Sequence, residues 1–394
     1  MIGRDCDIAI IGGGLAGGLI ALALAQLRPD LIVRLVEAGD TVGGNHRWSW
    51  FDSDLSPAGD ALLAPFRKAE WADGYTVKFP DHSRQLPTPY RSLDSADFAA
   101  ALGRELPPGT ILTRCEATTV DAGGLSFTDG SRITARAVID CRGFAPTPHL
   151  AGGWQVFMGR HMRLNAPHGL TRPIIMDADV AQLGGYRFVY VLPLGANELF
   201  IEDTYYQDTP ELDRSALSAR IDAYAADQGW KGDPVHSETG VLPVITGGDF
   251  AAWQAEMSTP GVARAGARGG FVHPLTSYTV PFAVATALDI AADADLPGEL
   301  LAAKLDARGR EHWARTGFYR MLGRMLFCAA LPEQRWRIFA RFYRLDAALI
   351  ERFYAGQSTF ADRARVLIGK PPVPVGRAIN ALISGPPPLA KEST

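Results

Sequence analysis

The stretch Asp7-Ile-Ala-Ile-Ile11-Gly12-Gly-Gly14-Leu-Ala-Gly17 decides the fold. Its apolar run after an acidic residue reads as a short buried strand. The glycines read as a turn. Leu15–Leu27, rich in Ala and Leu, reads as a helix stopped by Pro29. Leu31–Val36 is a second strand, with Glu37 at its end. This is a βαβ unit. The glycines fit G-x-G-x-x-G: Gly12 for the tight turn, Gly14 for backbone approach to a pyrophosphate, Gly17 for close packing of helix on strand. The helix N-terminus adds free N–H groups and partial positive charge. Glu37 follows Gly17 by 20 residues, where a carboxylate binds a ribose diol and repels a 2′-phosphate. The longest uncharged run, Ile8–Leu27, overlaps this unit. Its five glycines, and Asp5 and Asp7 before it, oppose a membrane span or signal peptide.

Outward from this unit, Gly43-Gly44 and Arg47 resemble the second glycine pair of FAD-dependent oxidoreductases. Ala137-Val-Ile-Asp140-Cys-Arg-Gly143 resembles their later strand-end motif. The dinucleotide implied is therefore FAD. Further strands are expected over Thr110–Val120, Gly124–Thr128 and Ile133–Ile139, and a hairpin over Arg187–Leu192 and Glu198–Thr204. Leu212–Gln228 and Pro281–Asp295 read as helices, and the pattern is helical from Leu300 to about Ile368. The expected fold is α/β: a Rossmann-type FAD-binding domain (1–75, 98–160, 255–300), an inserted sheet-containing substrate domain (76–97, 161–254) and a helical C-terminal region (301–394).

Three further blocks carry a narrower resemblance. Gly266-Ala-Arg268-Gly-Gly270-Phe-Val-His273-Pro274-Leu-Thr276-Ser-Tyr278-Thr-Val-Pro281 stands where aromatic hydroxylases of the flavin superfamily have a Gly-Asp pair. It is similar to the G-x-R-x-G-x-x-H-P-x-T-G-Y-S-x-P stretch of bacterial lycopene β-cyclases. Gly44-Asn45-His46-Arg47-Trp48-Ser49 resembles their G-N-H-x-W-S segment, and Ile201-Glu202-Asp203-Thr204 their I-E-D-T motif. Ser277 replaces the family's glycine, which costs backbone energy if that position takes a positive φ.

The resemblance implies a cyclisation. A proton adds at C2 of a lycopene ψ end, C6 attacks the cation at C1, and loss of the C6 proton completes a β ring, giving γ-carotene and then β-carotene. It also implies reduced FAD, with NADPH or NADH as electron donor and no net redox change. Glu202 and Asp203 are the candidate acids. Neighbours in a strand face opposite sides, so only one should meet the substrate, and Glu202 is preferred. His273 is a candidate near the flavin or for the C6 proton. Gly12, Gly14, Gly17, Glu37, Gly44, Arg47, Asp140, Gly143, Arg268, Gly270, Pro274 and Thr276 are the cofactor-binding candidates. Trp48 and Trp50 line a tunnel or belong to the core. An isoprenoid monooxygenase, a flavoprotein reductase and an ε-cyclase remain alternatives.

Composition narrows the setting. The net charge is −4 and the four cysteines form no CxxC pair, which opposes nucleic-acid binding, a zinc cluster and a disulfide framework. Yet Lys304 to Arg377 holds 15 basic and 6 acidic residues, a net of +9, so the remainder carries −13. Eleven aromatic residues lie between Trp313 and Phe360. A cytoplasmic protein resting on the inner membrane through this basic, aromatic region is expected.

Overall fold

The computed structural model describes residues 6–369, 376–377, 381 and 386–390. The opening motif builds the first, seven-stranded sheet. Its parallel part runs β8 (Ile111–Leu112), β2 (Val33–Val36), β1 (Cys6–Ile11), β11 (Arg132–Asp140) and β17 (Val262–Arg264). β10 (Gly124–Phe127) and β9 (Ala117–Asp121) extend β11 as antiparallel strands. Ile8, Ala9 and Ile10 are wholly buried, as a strand covered on both faces requires. α1 (Leu15–Leu27) packs on α6 (Val280–Ala292) and on α3 (Ser95–Glu105). A Cβ at Gly18 would lie 2.5 Å from the Phe98 ring, so glycine sets that approach.

The second sheet has eight strands. β16 (Gly232–Gly248), β12 (Thr147–Leu164), β15 (Glu198–Gln207), β14 (Tyr186–Gly195) and β13 (Ile174–Asp177) are antiparallel neighbours. β13 pairs in parallel with β5 (Tyr75–Phe79), β5 with β6 (His82–Leu86), and β18 (Pro388–Leu389) with β12. A third sheet, β3 (Arg47–Phe51), β7 (Tyr90–Asp94) and β4 (Ala69–Trp71), completes the set. α2 (Pro57–Leu63) lies under α6, and α4 (Arg214–Asp227) covers the back of the second sheet. There Leu217, Ile221 and Tyr224 pack with Val189, Ile201 and Tyr205.

Six further helices are α5 (Phe250–Glu256), α7 (Gly298–Arg315), α8 (Gly317–Cys328), α9 (Trp336–Phe342), α10 (Ala347–Tyr354) and α11 (Phe360–Leu367). The aromatic residues of α8 to α10 do not form a surface belt. Tyr319, Phe327, Phe339, Tyr343, Phe353 and Tyr354 are buried in one cluster with Tyr186, Phe188 and Tyr206 of the sheet's front face. Burial of large rings against a sheet outweighs their display to a bilayer. Arginines of the region follow them inward. Arg335 is buried, donating to the carbonyls of Tyr206 and Phe327 and to Asp208. Arg320 stacks 3.6 Å from the Trp313 ring.

Two expected boundaries shift. The expected strand Thr110–Val120 is two strands, β8 and β9, because Arg114 between them takes φ 55° and turns the chain. The long strand of the second sheet begins at Thr147, ahead of the expected boundary at residue 160, because β12 pairs along its length with β15 and β16. Among the described residues no helix is long and apolar enough to cross a membrane, and no metal-holding cluster of His, Cys, Asp or Glu occurs.

Candidate active site

A groove of about 470 Å³ opens at the C-terminal ends of β1 and β2. Gly12 takes φ 98°, and a Cβ there would press on the backbone of Cys141 and Arg142 at 2.9 Å. A Cβ on Gly17 would lie 2.0 Å from the Gly12 carbonyl oxygen. At Gly14 a Cβ would meet nothing within 4 Å, so the open space beside this helix N-terminus is available to a phosphate. Glu37 accepts from the Gly13 N–H at 2.8 Å and the Gly39 N–H at 2.7 Å, which holds its carboxylate at the groove wall. Gly143 and Arg142 line the far side. Asp140 itself does not line the groove. Its carboxylate takes the Arg142 backbone N–H and guanidinium at 2.7–3.0 Å and stands 3.3 Å from Arg268. It organises two arginines.

The loop after β17 closes the groove. Gly266 and Gly270 take φ 59° and 83°, and Ser277 takes φ 58°, so the family's glycine is replaced where a side chain is strained. The Ser277 hydroxyl donates to the Pro243 carbonyl at 3.0 Å. Pro274 is buried, and the Thr276 hydroxyl, on the wall of the adjoining cavity, is buried without a hydrogen-bond partner. His273 has a different place from the one expected. Its Nε2 donates to the Phe353 carbonyl at 3.1 Å, and its Nδ1 accepts from the N–H groups of Thr276 and Leu275. Burial lowers its pKa to about 3. With both nitrogens engaged by backbone, this neutral histidine fastens the loop to α10.

A second, smaller cavity of about 110 Å³ adjoins the groove, and Trp48 and Thr279 line both. Its walls include Phe157, Phe188, Tyr190 and Tyr206 from the second sheet, Tyr278 from the loop, and Phe339 and Tyr354 from the helical cap. Sequence reasoning missed the sheet aromatics, since their alternation resembles any half-buried strand. Trp50 is wholly buried core. Tyr90 hydrogen-bonds Tyr190 at 2.6 Å and Tyr278 at 2.8 Å, fixing two of these rings.

β15 presents Glu202 to this cavity and Asp203 to the opposite face. Asp203 is fully buried, with the Arg187 guanidinium at 2.7 Å and the Tyr205 hydroxyl at 3.1 Å. Burial raises its pKa, opposed by Arg187. Glu202 is half-buried and lines the cavity. Burial raises its pKa to about 7, opposed by the Thr204 hydroxyl, which donates to Oε1 at 2.6 Å. This carboxyl therefore carries a proton for part of the time near neutrality. Arg47 is a wall of this cavity, not of the groove. It donates to Ser92 and Asp94 and lies 5.3 Å over the Phe200 ring. Gly44 takes φ 64° in the preceding turn.

A largely parallel sheet with a glycine-lined groove, a second sheet beside that groove and a helical cap define the class: the fold of FAD-dependent oxidoreductases and monooxygenases. Solved structures share it. A geranylgeranyl bacteriochlorophyll reductase-like protein from Thermoplasma acidophilum matches with TM-score 0.60 at 12% identity, over 97% of this chain and 99% of that one. A p-nitrophenol 4-monooxygenase from Pseudomonas putida matches with TM-score 0.61 at 15% identity, over 90% and 99%. The family is narrower. The lycopene cyclase protein model matches residues 7–380. Lycopene beta-cyclases from Pseudescherichia vulneris (45% identical, 96% of this chain and 97% of that one) and a Paracoccus species (42%, 98% and 99%) match along their lengths. The chain belongs to the lycopene cyclase family.

Proposed function

We propose that the chain is a lycopene β-cyclase, closing the ψ ends of lycopene to β rings by way of γ-carotene. The observation that carries this reading is the Glu202 carboxyl, held near neutral pKa in an aromatic cavity that adjoins a dinucleotide groove. Glu202 gives its proton to C2, C1 becomes cationic, and the C5=C6 pair forms the C1–C6 bond. Cationic charge moves to C5, and loss of the C6 proton restores the double bond. The rings of Trp48, Tyr190 and Tyr278 line the cavity and offer π faces to the cation. Asp203 and Arg187 fix the strand from behind.

FAD fits the groove through Gly12, Gly14, Glu37 and Gly143, with Gly17 packed behind the Gly12 turn and Thr276 on the wall of the adjoining cavity; when bound and reduced by NADPH or NADH, it supplies negative charge that stabilises a nearby cation without net redox change. The chain works at the cytoplasmic surface of the membrane that dissolves its substrate. Support comes from α11, where Phe360, Leu367 and Ile368 are exposed near Arg363 and Arg365.

The test is an anaerobic assay in D₂O with lycopene-containing membranes and NADPH. Each β ring should gain one deuteron at C2, and Glu202→Gln should slow the reaction about 10²–10⁴-fold with FAD retained. An oxygen requirement, or rings without deuterium, would overturn the reading.

A further inference from the structure

Ring closure ends with a proton leaving C6, and His273, tied to backbone at both nitrogens, is not free to take it. His46 is. It lines the same cavity as Glu202, edge-on to Trp48 with centroids 5.8 Å apart and 5.6 Å from the Phe157 ring. No described residue hydrogen-bonds its ring nitrogens. Its side chain is half-buried, 29% exposed, and desolvation in the cavity lowers its pKa to about 4, so the imidazole is neutral and able to accept.

Behind it stands Glu238. Its Oε1 is 3.8 Å from His46 Nδ1, its side chain is 2% exposed, and Oε1 has no hydrogen-bond partner. Sheet register explains how it arrives there. Gly159 of β12 pairs with Glu202 on one side and Glu238 on the other. Both carboxyls therefore rise from one face, two interstrand spacings or roughly 10 Å apart at the backbone. A Cβ on Gly159 would strike the Phe200 ring at 2.3 Å and crowd Glu238 Cγ at 3.2 Å, so glycine keeps the space between them open. The turn that leads into His46 is fastened twice. The Gly43 N–H donates to the Gly13 carbonyl at 2.8 Å, and Asn45 Nδ2 to the Ser237 carbonyl at 3.2 Å.

We propose that His46 is the base that takes the C6 proton, with Glu238 as the positioning carboxylate behind it. The proposal rests on the cyclase reading above. Nδ1–H faces Glu238, which leaves the Nε2 lone pair for the cavity. The C6–H bond breaks, its electron pair forms C5=C6, and the proton makes an imidazolium beside the carboxylate. Glu202, having given one proton to C2, is then ionised, and the imidazolium's proton is lost as Glu202 regains one. Each cycle is proton-neutral. Burial and Glu202 raise the pKa of Glu238 to about 8, opposed by Arg47, with Asp94 a further raising charge. Near neutrality Glu238 is thus mostly protonated in the resting site; it takes up the positioning role in its ionised form, which closure of the 3.8 Å gap to Nδ1–H and the imidazolium formed there both favour.

The test reads ring type. In the anaerobic D₂O assay with lycopene-containing membranes, His46→Gln should cut β-ring output about 10²–10⁴-fold. The residual cation should lose a proton from C4, giving ε rings, or be captured by water. FAD content and the single C2 deuteron should be unchanged. Unaltered β-ring output, a slower reaction giving β rings alone, or loss of FAD would each overturn the assignment. Glu238→Gln should divert products in the same sense and Glu238→Asp should restore part of the β share; equal product mixtures would overturn the role of Glu238. Failure of the cyclase reading itself would show separately, as wild-type protein making no β rings.

Discussion

Glu202 carries the steepest dependence on solution conditions, because its protonated form is the acid. With a pKa near 7, it loses its proton as pH rises through neutrality, so kcat should fall on the alkaline side. The Thr204 hydroxyl favours the ionised form. Thr204→Val should therefore move that limb to higher pH, seen in a kcat profile from pH 5 to 9; a shift to lower pH would contradict the assignment. Stability follows the same linkage. Glu202 and Glu238 both have folded pKa values above the ordinary carboxyl value of 4.5. Their stabilisation is complete below that value and is lost as pH rises through about 7 and about 8. Melting temperatures at pH 5 and 8.5 should show less loss for Glu238→Gln than for the wild type.

At the scale of elements, turns and strand registers decide which of these residues meet. Ser277 sits at φ 58° and repays part of that strain through its bond to Pro243. Ser277→Ala keeps the strain and loses the bond, whereas Ser277→Gly loses both. The glycine variant should be the more stable of the two by about 1 kcal/mol in urea unfolding, the reverse of ordinary propensity. On β12, Gly159→Ala should retain FAD yet lose most ring closure, since its Cβ displaces the Phe200 ring beside both carboxyls. Loss of FAD in that variant would show damage reaching the first sheet. Local patterns made the βαβ unit legible in the sequence, and strand alternation correctly separated Glu202 from Asp203. Glu238 was not legible. It lies 36 residues from Glu202, and only the pairing of each with Gly159 brings them to one face. His46 lay inside a quoted motif, but its partner belongs to another sheet. The role of His273 stayed open because a buried histidine that fastens a loop and one that moves protons look alike in sequence.

Across the whole molecule, the uneven charge acquires a physical place. The described part of the segment with net +9 folds as a cap whose buried aromatic residues pack on the second sheet, Phe339 and Tyr354 reaching the cavity, and whose Arg320 and Arg335 are buried with them. Composition had merged two populations that folding separates. What reaches the surface at α11 is a smaller patch: Phe360 is 88% exposed, Ile368 62% and Leu367 48%, with Arg365 also exposed. Two hydrogen bonds from Arg352 to Asp362 hold this helix to α10, and a Thr359–Asp362 capping box fixes its start. Apolar side chains beside arginine suit an anionic bilayer surface, where each cation near the surface adds about 1 kcal/mol that salt screens away. The holoprotein should therefore sediment with vesicles containing anionic lipid more than with neutral ones, and less at high salt. Phe360→Ser combined with Ile368→Ser should weaken that binding at least tenfold while leaving FAD content intact. It should slow ring closure on lycopene held in membranes far more than on lycopene dispersed in detergent. Equal binding to neutral vesicles, or a double variant that sediments like the wild type, would remove α11 from the contact.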